Sequence, residues 1–121
     1  MSPQISPLFW LLFFHALADF SLQSDAMAKG KNRNRVIDQS SIPPGAKYVP
    51  CWPYWLTAHA MIHGGGVAIA LGSVSLGIFE AISHWAIDFL KCENILTVHE
   101  DQGLHVACKV LWWAMWLHGI R

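Results

Sequence analysis

Four apolar segments, separated by polar connections, account for most of the chain. They cover about residues 7–23, 53–72, 73–90 and 101–120. Each approaches the roughly 20 residues that a helix needs to cross a bilayer. The pattern therefore predicts an all-α fold, a four-helix transmembrane bundle that forms a single integral membrane domain over residues 1–121.

The connection at 24–52 between the first two segments is long and basic. It carries five of the eight Lys and Arg residues, and its Pro-Pro-Gly sequence at 43–45 prevents a continuous helix. Since basic residues remain on the cytoplasmic side of a membrane, this loop is predicted to be cytoplasmic. Both termini would then be periplasmic, in a multi-pass protein of the bacterial inner membrane with the lipid bilayer as its partner.

Composition and charge narrow the function classes. Hydrophobic residues make up 54% of the 121 residues and charged residues 13%, which disfavours a soluble globular domain. The eight basic residues are balanced by eight acidic ones, so the excess positive charge typical of nucleic-acid binding is absent and no nucleic-acid partner is expected. The three cysteines lack CxxC spacing, which indicates free thiols.

Every apolar segment contains a pair of ionisable side chains four residues apart. Residues at this spacing lie on one face of a helix, and in the predicted topology all four pairs lie near the cytoplasmic end. Glu80 is one turn before the third pair, while Gln23 and Gln102 are expected to donate hydrogen bonds nearby. The pairs are His15/Asp19, His59/His63, His84/Asp88 and Asp101/His105.

Such a convergence of imidazoles and carboxylates points to metal chemistry. Buried ionisable groups are costly unless they are paired or bind an ion. Imidazole suits transition metals, and carboxylates add hard oxygen donors. The eight paired residues are therefore predicted to bind one or two divalent ions of zinc, manganese or iron. A carboxylate not used as a ligand, Glu80 or Asp19, is the candidate catalytic base.

The chain also resembles a known family. The stretches HALADFSLQSDAMAKGK, HAMIH, SHWAIDFLK and DQGLH occur in the same order as in the DUF3307 family of small bacterial and phage membrane proteins. The resemblance covers nearly the whole chain, but that family is defined by its unknown function. A more distant similarity, in residue types and topology, links the chain to membrane-bound metal-dependent hydrolases. An insertion at 40–52 departs from the pattern and could cover the mouth of the site.

Three functions compete. The first is a metal-dependent hydrolase that cleaves a phosphoester-type or lipid-linked substrate at the cytoplasmic end of the bundle. The second is transport or sensing of metal ions or protons, which would require a homo-oligomer because four helices are few for a pathway. The third is a non-enzymatic phage or host interaction protein in which the polar cluster only fixes helix packing. The hydrolase is the leading prediction.

Overall fold

The computed structural model describes residues 4–121, and these residues form five α-helices and no strand. The predicted all-α class is confirmed. Helix α1 continues without a break into a π-helical turn at Leu17–Ser21, and a single 3-10 turn occupies Gln39–Ser41. The α-helices are α1 (Ser6–Ala16), α2 (Asp25–Gly30), α3 (Trp52–Leu71), α4 (Val74–Cys92) and α5 (Val98–Leu117).

The four long helices pack side by side in a ring. Helix α1 contacts α3 and α5, and α4 contacts the same two helices. The turn between α3 and α4 is minimal: Gly72 adopts a left-handed conformation (φ 61°), and the Ser73 side chain accepts a hydrogen bond from the backbone N–H of Leu76. Glycine adopts this backbone conformation at little cost. Helices α3 and α4 therefore form a tight antiparallel pair.

The interior of the ring is apolar at one end and polar at the other. The apolar end contains buried side chains from all four long helices. At the polar end the same helices bury their ionisable pairs, because the i,i+4 spacing keeps each pair on the inner face. The apolar cluster consists of Leu11, Val67, Leu71, Leu76 and Trp112.

Within residues 4–121 no helix is both long and apolar enough to cross a membrane. A spanning helix needs about 20 mainly apolar residues, whereas α1 has 11 residues, and α3, α4 and α5 each bury two or three ionisable side chains spaced four residues apart. The predicted location, a multi-pass protein of the bacterial inner membrane with periplasmic termini, is therefore wrong, and the transmembrane part of the predicted fold lacks support.

The basic connection is more structured than its sequence predicted. Its first part forms α2, whose N-terminus is capped by the Ser24 side chain. Farther along, the Arg33 guanidinium donates two hydrogen bonds to Glu93 at the end of α4, at 2.6 and 2.9 Å, and lies over the Phe89 ring. Gly30 packs against Trp55 of α3. These contacts dock residues 25–33 onto the polar end of the ring.

Candidate metal centre

Two aspartates each contact several polar side chains of the cluster. The first is Asp19, in the π-helical turn after α1. Its Oδ1 accepts a hydrogen bond from His63 Nε2 at 2.9 Å and lies 3.4 Å from His59 Nε2. Its Oδ2 accepts a hydrogen bond from the Gln102 amide at 2.9 Å and lies 3.5 Å from His15 Nε2. The π-helical turn is notable because such turns occur frequently at functional sites.

Asp88 of α4 is the second of these aspartates. Its Oδ1 accepts a hydrogen bond from His105 Nε2 at 3.2 Å, and its Oδ2 accepts one from the Lys31 ammonium at 2.5 Å. The same Oδ2 lies 3.5 Å from His59 Nε2 and 3.7 Å from His84 Nε2. His59 therefore lies between the two aspartates.

These contacts create two overlapping groups whose side chains are close enough together to hold a metal ion. Asp19, His59, His63 and His84 each offer one ligand atom, and all four atoms lie within 4.8 Å of one another; His84, Asp88 and His105 form a second group on the same criterion. Six of the eight predicted ligands are thus brought together, and His84 belongs to both groups.

His15 and Asp101, the other two predicted ligands, lie beside these groups. His15 Nε2 is 3.2 Å from the side-chain oxygen of Gln102, and Asp101 lies 3.3 Å from His105 and 3.2 Å from the Lys91 ammonium. Gln102 therefore makes the predicted hydrogen bonds inside the cluster, whereas the Gln23 amide reaches only the backbone carbonyl of Asp19. Metal ligation by any of the eight residues stays a prediction.

His59 is the member of the cluster that most clearly lacks a partner. Its side chain is fully buried, and neither ring nitrogen makes a hydrogen bond within residues 4–121. A buried polar group without a partner destabilises a fold. Two ligands bound to one tetrahedral zinc ion, each at about 2.0–2.1 Å, lie about 3.3 Å apart. The 3.4 Å between His59 Nε2 and Asp19 Oδ1 fits such a pair.

The orientation of His84 is also suited to binding an ion. Its Nδ1 is 3.3 Å from Glu80 Oε1, while its Nε2 has no hydrogen-bond partner among the described residues. If Nδ1 donates to the carboxylate, the lone pair is on Nε2, which points into the cluster. A carboxylate behind an imidazole is a recurrent feature of metal sites, where it fixes the ligand's tautomer and ring orientation.

Glu80 itself accepts hydrogen bonds from two further donors. The Lys109 ammonium and the Trp112 indole N–H, the latter at 2.6 Å, donate to its two carboxylate oxygens. Glu80 and Lys109 are at most 1% exposed. These contacts are typical of a carboxylate that orients a neighbouring ring, here His84. The predicted role of Glu80 as a base stays a prediction.

Three imidazole rings are stacked across the cluster. The ring centroids of His63 and His84 are 3.6 Å apart, and those of His84 and His105 are 4.0 Å apart. Burial lowers the pKa of His84, and the neighbouring imidazoles lower it further. Burial also lowers the pKa of His63, to about 4, although Asp19 opposes this shift. Both rings are therefore neutral at pH 7, which is the form that binds metals.

His105 and the two aspartates are instead shifted toward their charged forms. Burial acts to lower the pKa of His105, but its hydrogen bonds to Asp101 and Asp88 outweigh burial and raise the pKa to about 9. For Asp19 and Asp88, burial acts to raise the pKa, and their polar and charged neighbours more than reverse this effect. Both aspartates are thus ionised at neutral pH.

Sequence reasoning missed two lysines of the cluster, Lys31 and Lys109, which are 6% and 1% exposed. Lys109 could have been found, because it extends the Asp101/His105 stripe by four residues. Lys31 does not extend any helical stripe. It belongs to a basic connection whose charges were attributed to membrane topology, and its partner Asp88 is 57 residues away.

The fold and the site together define a class: an all-helical protein with a buried cluster of histidines, carboxylates and lysines between its helices. A family model described as a protein of unknown function, DUF3307, matches residues 8–119. The chain belongs to this family, as its motifs predicted. No curated protein and no solved structure matches the chain significantly, and the similarity to membrane-bound hydrolases stays a prediction.

Proposed function

We propose that this protein binds a divalent transition metal ion, zinc, manganese or iron, through Asp19, His59, His63 and His84, and that it is a metal-dependent hydrolase. The observation that carries the proposal is the fully buried His59, whose ring nitrogens lack hydrogen bonds within residues 4–121 while its Nε2 lies about equally far from Asp19 and Asp88. An ion bound by His59 and Asp19 would satisfy the imidazole and offset the negative charge.

Two observations on the cluster support the proposed reaction class. A bound divalent ion would lower the pKa of a water molecule and polarise the group to be cleaved. Asp19 has the most exposed side chain of the cluster's carboxylates, at 10%, so we place the substrate on its side of the cluster. The neighbouring connection is basic, and its Lys31 lies in the cluster, where it donates to Asp88. This positive charge favours an anionic substrate such as a phosphoester.

Glu80 would contribute indirectly in this proposal. It holds the Nδ1 side of His84, and its own oxygens accept from Lys109 and Trp112. In this proposal Glu80 orients the His84 ring, and Asp19 is the carboxylate that faces the substrate.

Elemental analysis of tag-free protein tests the proposal. The wild type should retain zinc or manganese after loading and dialysis, and His59→Ala should lose it. His118→Ala is the matched control, because this histidine is exposed and outside the cluster. Hydrolysis of a chromogenic phosphodiester should follow the metal content. A folded wild type that retains no zinc, manganese or iron would refute metal binding; a loaded but inactive protein would refute only hydrolysis on that substrate.

A non-enzymatic, structural cluster is the second candidate. It is supported by the three lysines, which pair with Asp88, Asp101 and Glu80 and already balance much of the buried negative charge. This candidate expects a metal-free protein in the same elemental analysis.

A further inference from the structure

We infer that the centre holds one divalent ion, at the Asp19 group, and that the Lys31 ammonium takes the place of a second ion at Asp88. This inference rests on the proposed metal binding and specifies the number of ions. Two overlapping ligand groups alone would suggest a two-metal site.

The lysines are distributed unequally over the four carboxylates. Asp88 is paired with Lys31 at 2.5 Å, Asp101 with Lys91 at 3.2 Å, and Glu80 with Lys109. Asp19 has no lysine or arginine partner among residues 4–121; its contacts are with imidazoles and the Gln102 amide. The group that contains Asp19 is therefore the part of the cluster in which no cationic side chain, lysine or arginine, among residues 4–121 balances the carboxylate charge.

The second ligand group already contains such a cation. Lys31 Nζ donates a hydrogen bond to Asp88 Oδ2, one of the two oxygens that Asp88 could offer to an ion bound with His84 and His105. A divalent ion at this position would lie within a few ångströms of a buried ammonium, where repulsion is only weakly screened. Lys31 and a second ion thus exclude each other.

Contacts on both sides of Lys31 hold it in place. On one side, the preceding Gly30 packs so closely on Trp55 that a Cβ atom there would lie 2.7 Å from the indole. On the other side, Arg33 makes its two hydrogen bonds with Glu93. Because the backbone is held in place before and after Lys31, the Lys31 side chain has a fixed position in the cluster.

Zinc stoichiometry of Lys31→Met tests this inference. Methionine removes the charge and leaves a side chain of similar length. Lys29→Met is the matched control, two residues earlier on an exposed side chain. After zinc loading and dialysis, we expect one equivalent in the wild type and in Lys29→Met, and two in Lys31→Met. Two equivalents in the wild type, or one in a folded Lys31→Met, would overturn the inference and leave metal binding intact.

A second measurement needs no variant. Electron paramagnetic resonance of the manganese-loaded wild type should give the hyperfine-resolved spectrum of an isolated ion. A spectrum of two exchange-coupled ions would overturn the inference even if Lys31→Met did not fold. A wild type that takes up neither zinc nor manganese would refute the proposed function itself and this inference with it.

Discussion

Gly64 of α3 and Gly77 of α4 face each other so closely that neither could carry a side chain without displacing its neighbour. A Cβ atom on Gly64 would lie 2.5 Å from the carbonyl oxygen of Gly77, and one on Gly77 would lie 2.6 Å from that of Gly64. The close approach of α3 and α4 places His59 and His63 beside His84, so the glycines help to determine the geometry of the cluster.

The first prediction concerns this contact. Gly64→Ala should lower the free energy of unfolding by about 1–3 kcal/mol, since overpacking forces backbone shifts. Gly65→Ala is the matched control: nothing lies within 4 Å of its Cβ position, and alanine favours the helix by up to about 1 kcal/mol. Urea denaturation measures both. Equal effects of the two substitutions would show that the glycine contact is unimportant.

Asp19→Asn separates two roles of this carboxylate. If Asp19 is a ligand, the variant should lose more zinc affinity than the roughly 10–100-fold that loss of an outer-shell partner costs. Competition with a chromophoric chelator measures this, and Asp25→Asn, the same change on an exposed residue, serves as control. Unchanged affinity combined with lost hydrolysis would instead assign Asp19 as a base.

The buried pair of Lys109 and Glu80 should matter for stability. Lys109→Met leaves an uncompensated buried carboxylate, so the free energy of unfolding should fall by about 3–5 kcal/mol. Lys29→Met, which breaks the exposed pair with Asp25, should have little effect. The double variant Glu80→Gln/Lys109→Met should recover much of the loss, because neither charge remains. Failure to recover would mean that lost packing, not the unpaired charge, causes the effect.

Stability of the metal-free protein should be greatest near pH 6.5. His63 has a pKa lowered to about 4, so the unfolded chain binds more protons between pH 6.5 and 4, and stability falls with acidification. His105 has a pKa raised to about 9, so the folded chain binds more protons between pH 6.5 and 9, and stability falls as pH rises. Each proton contributes up to about 1.4 kcal/mol per pH unit.

Urea denaturation at pH 5, 6.5 and 8.5 checks this profile. His105→Asn should remove much of the decline above pH 6.5, and His118→Asn, an exposed control, should leave it unchanged. A wild-type stability that rises steadily from pH 6.5 to 8.5 would contradict the raised pKa of His105.

Local sequence pattern was sufficient for the four long helices and for the histidines and carboxylates of the cluster. Helical periodicity depends on near neighbours, so the i,i+4 pairs marked the inner face of each long helix. Hydropathy misled the prediction of location, because the same polar pairs that build the cluster interrupt the apolar length that a spanning helix needs.

Tertiary structure alone decided how the cluster is connected. The distances that group Asp19 with His59, His63 and His84 depend on helix rotation and on the π-helical turn. The burial of Lys31 against Asp88 depends on how α2 docks on α3 and α4. These contacts join residues tens of positions apart, and no local periodicity encodes them. The sequence by itself thus determined which histidines and carboxylates enter the interior, and packing determined which lysines join them and which charge each of them meets there.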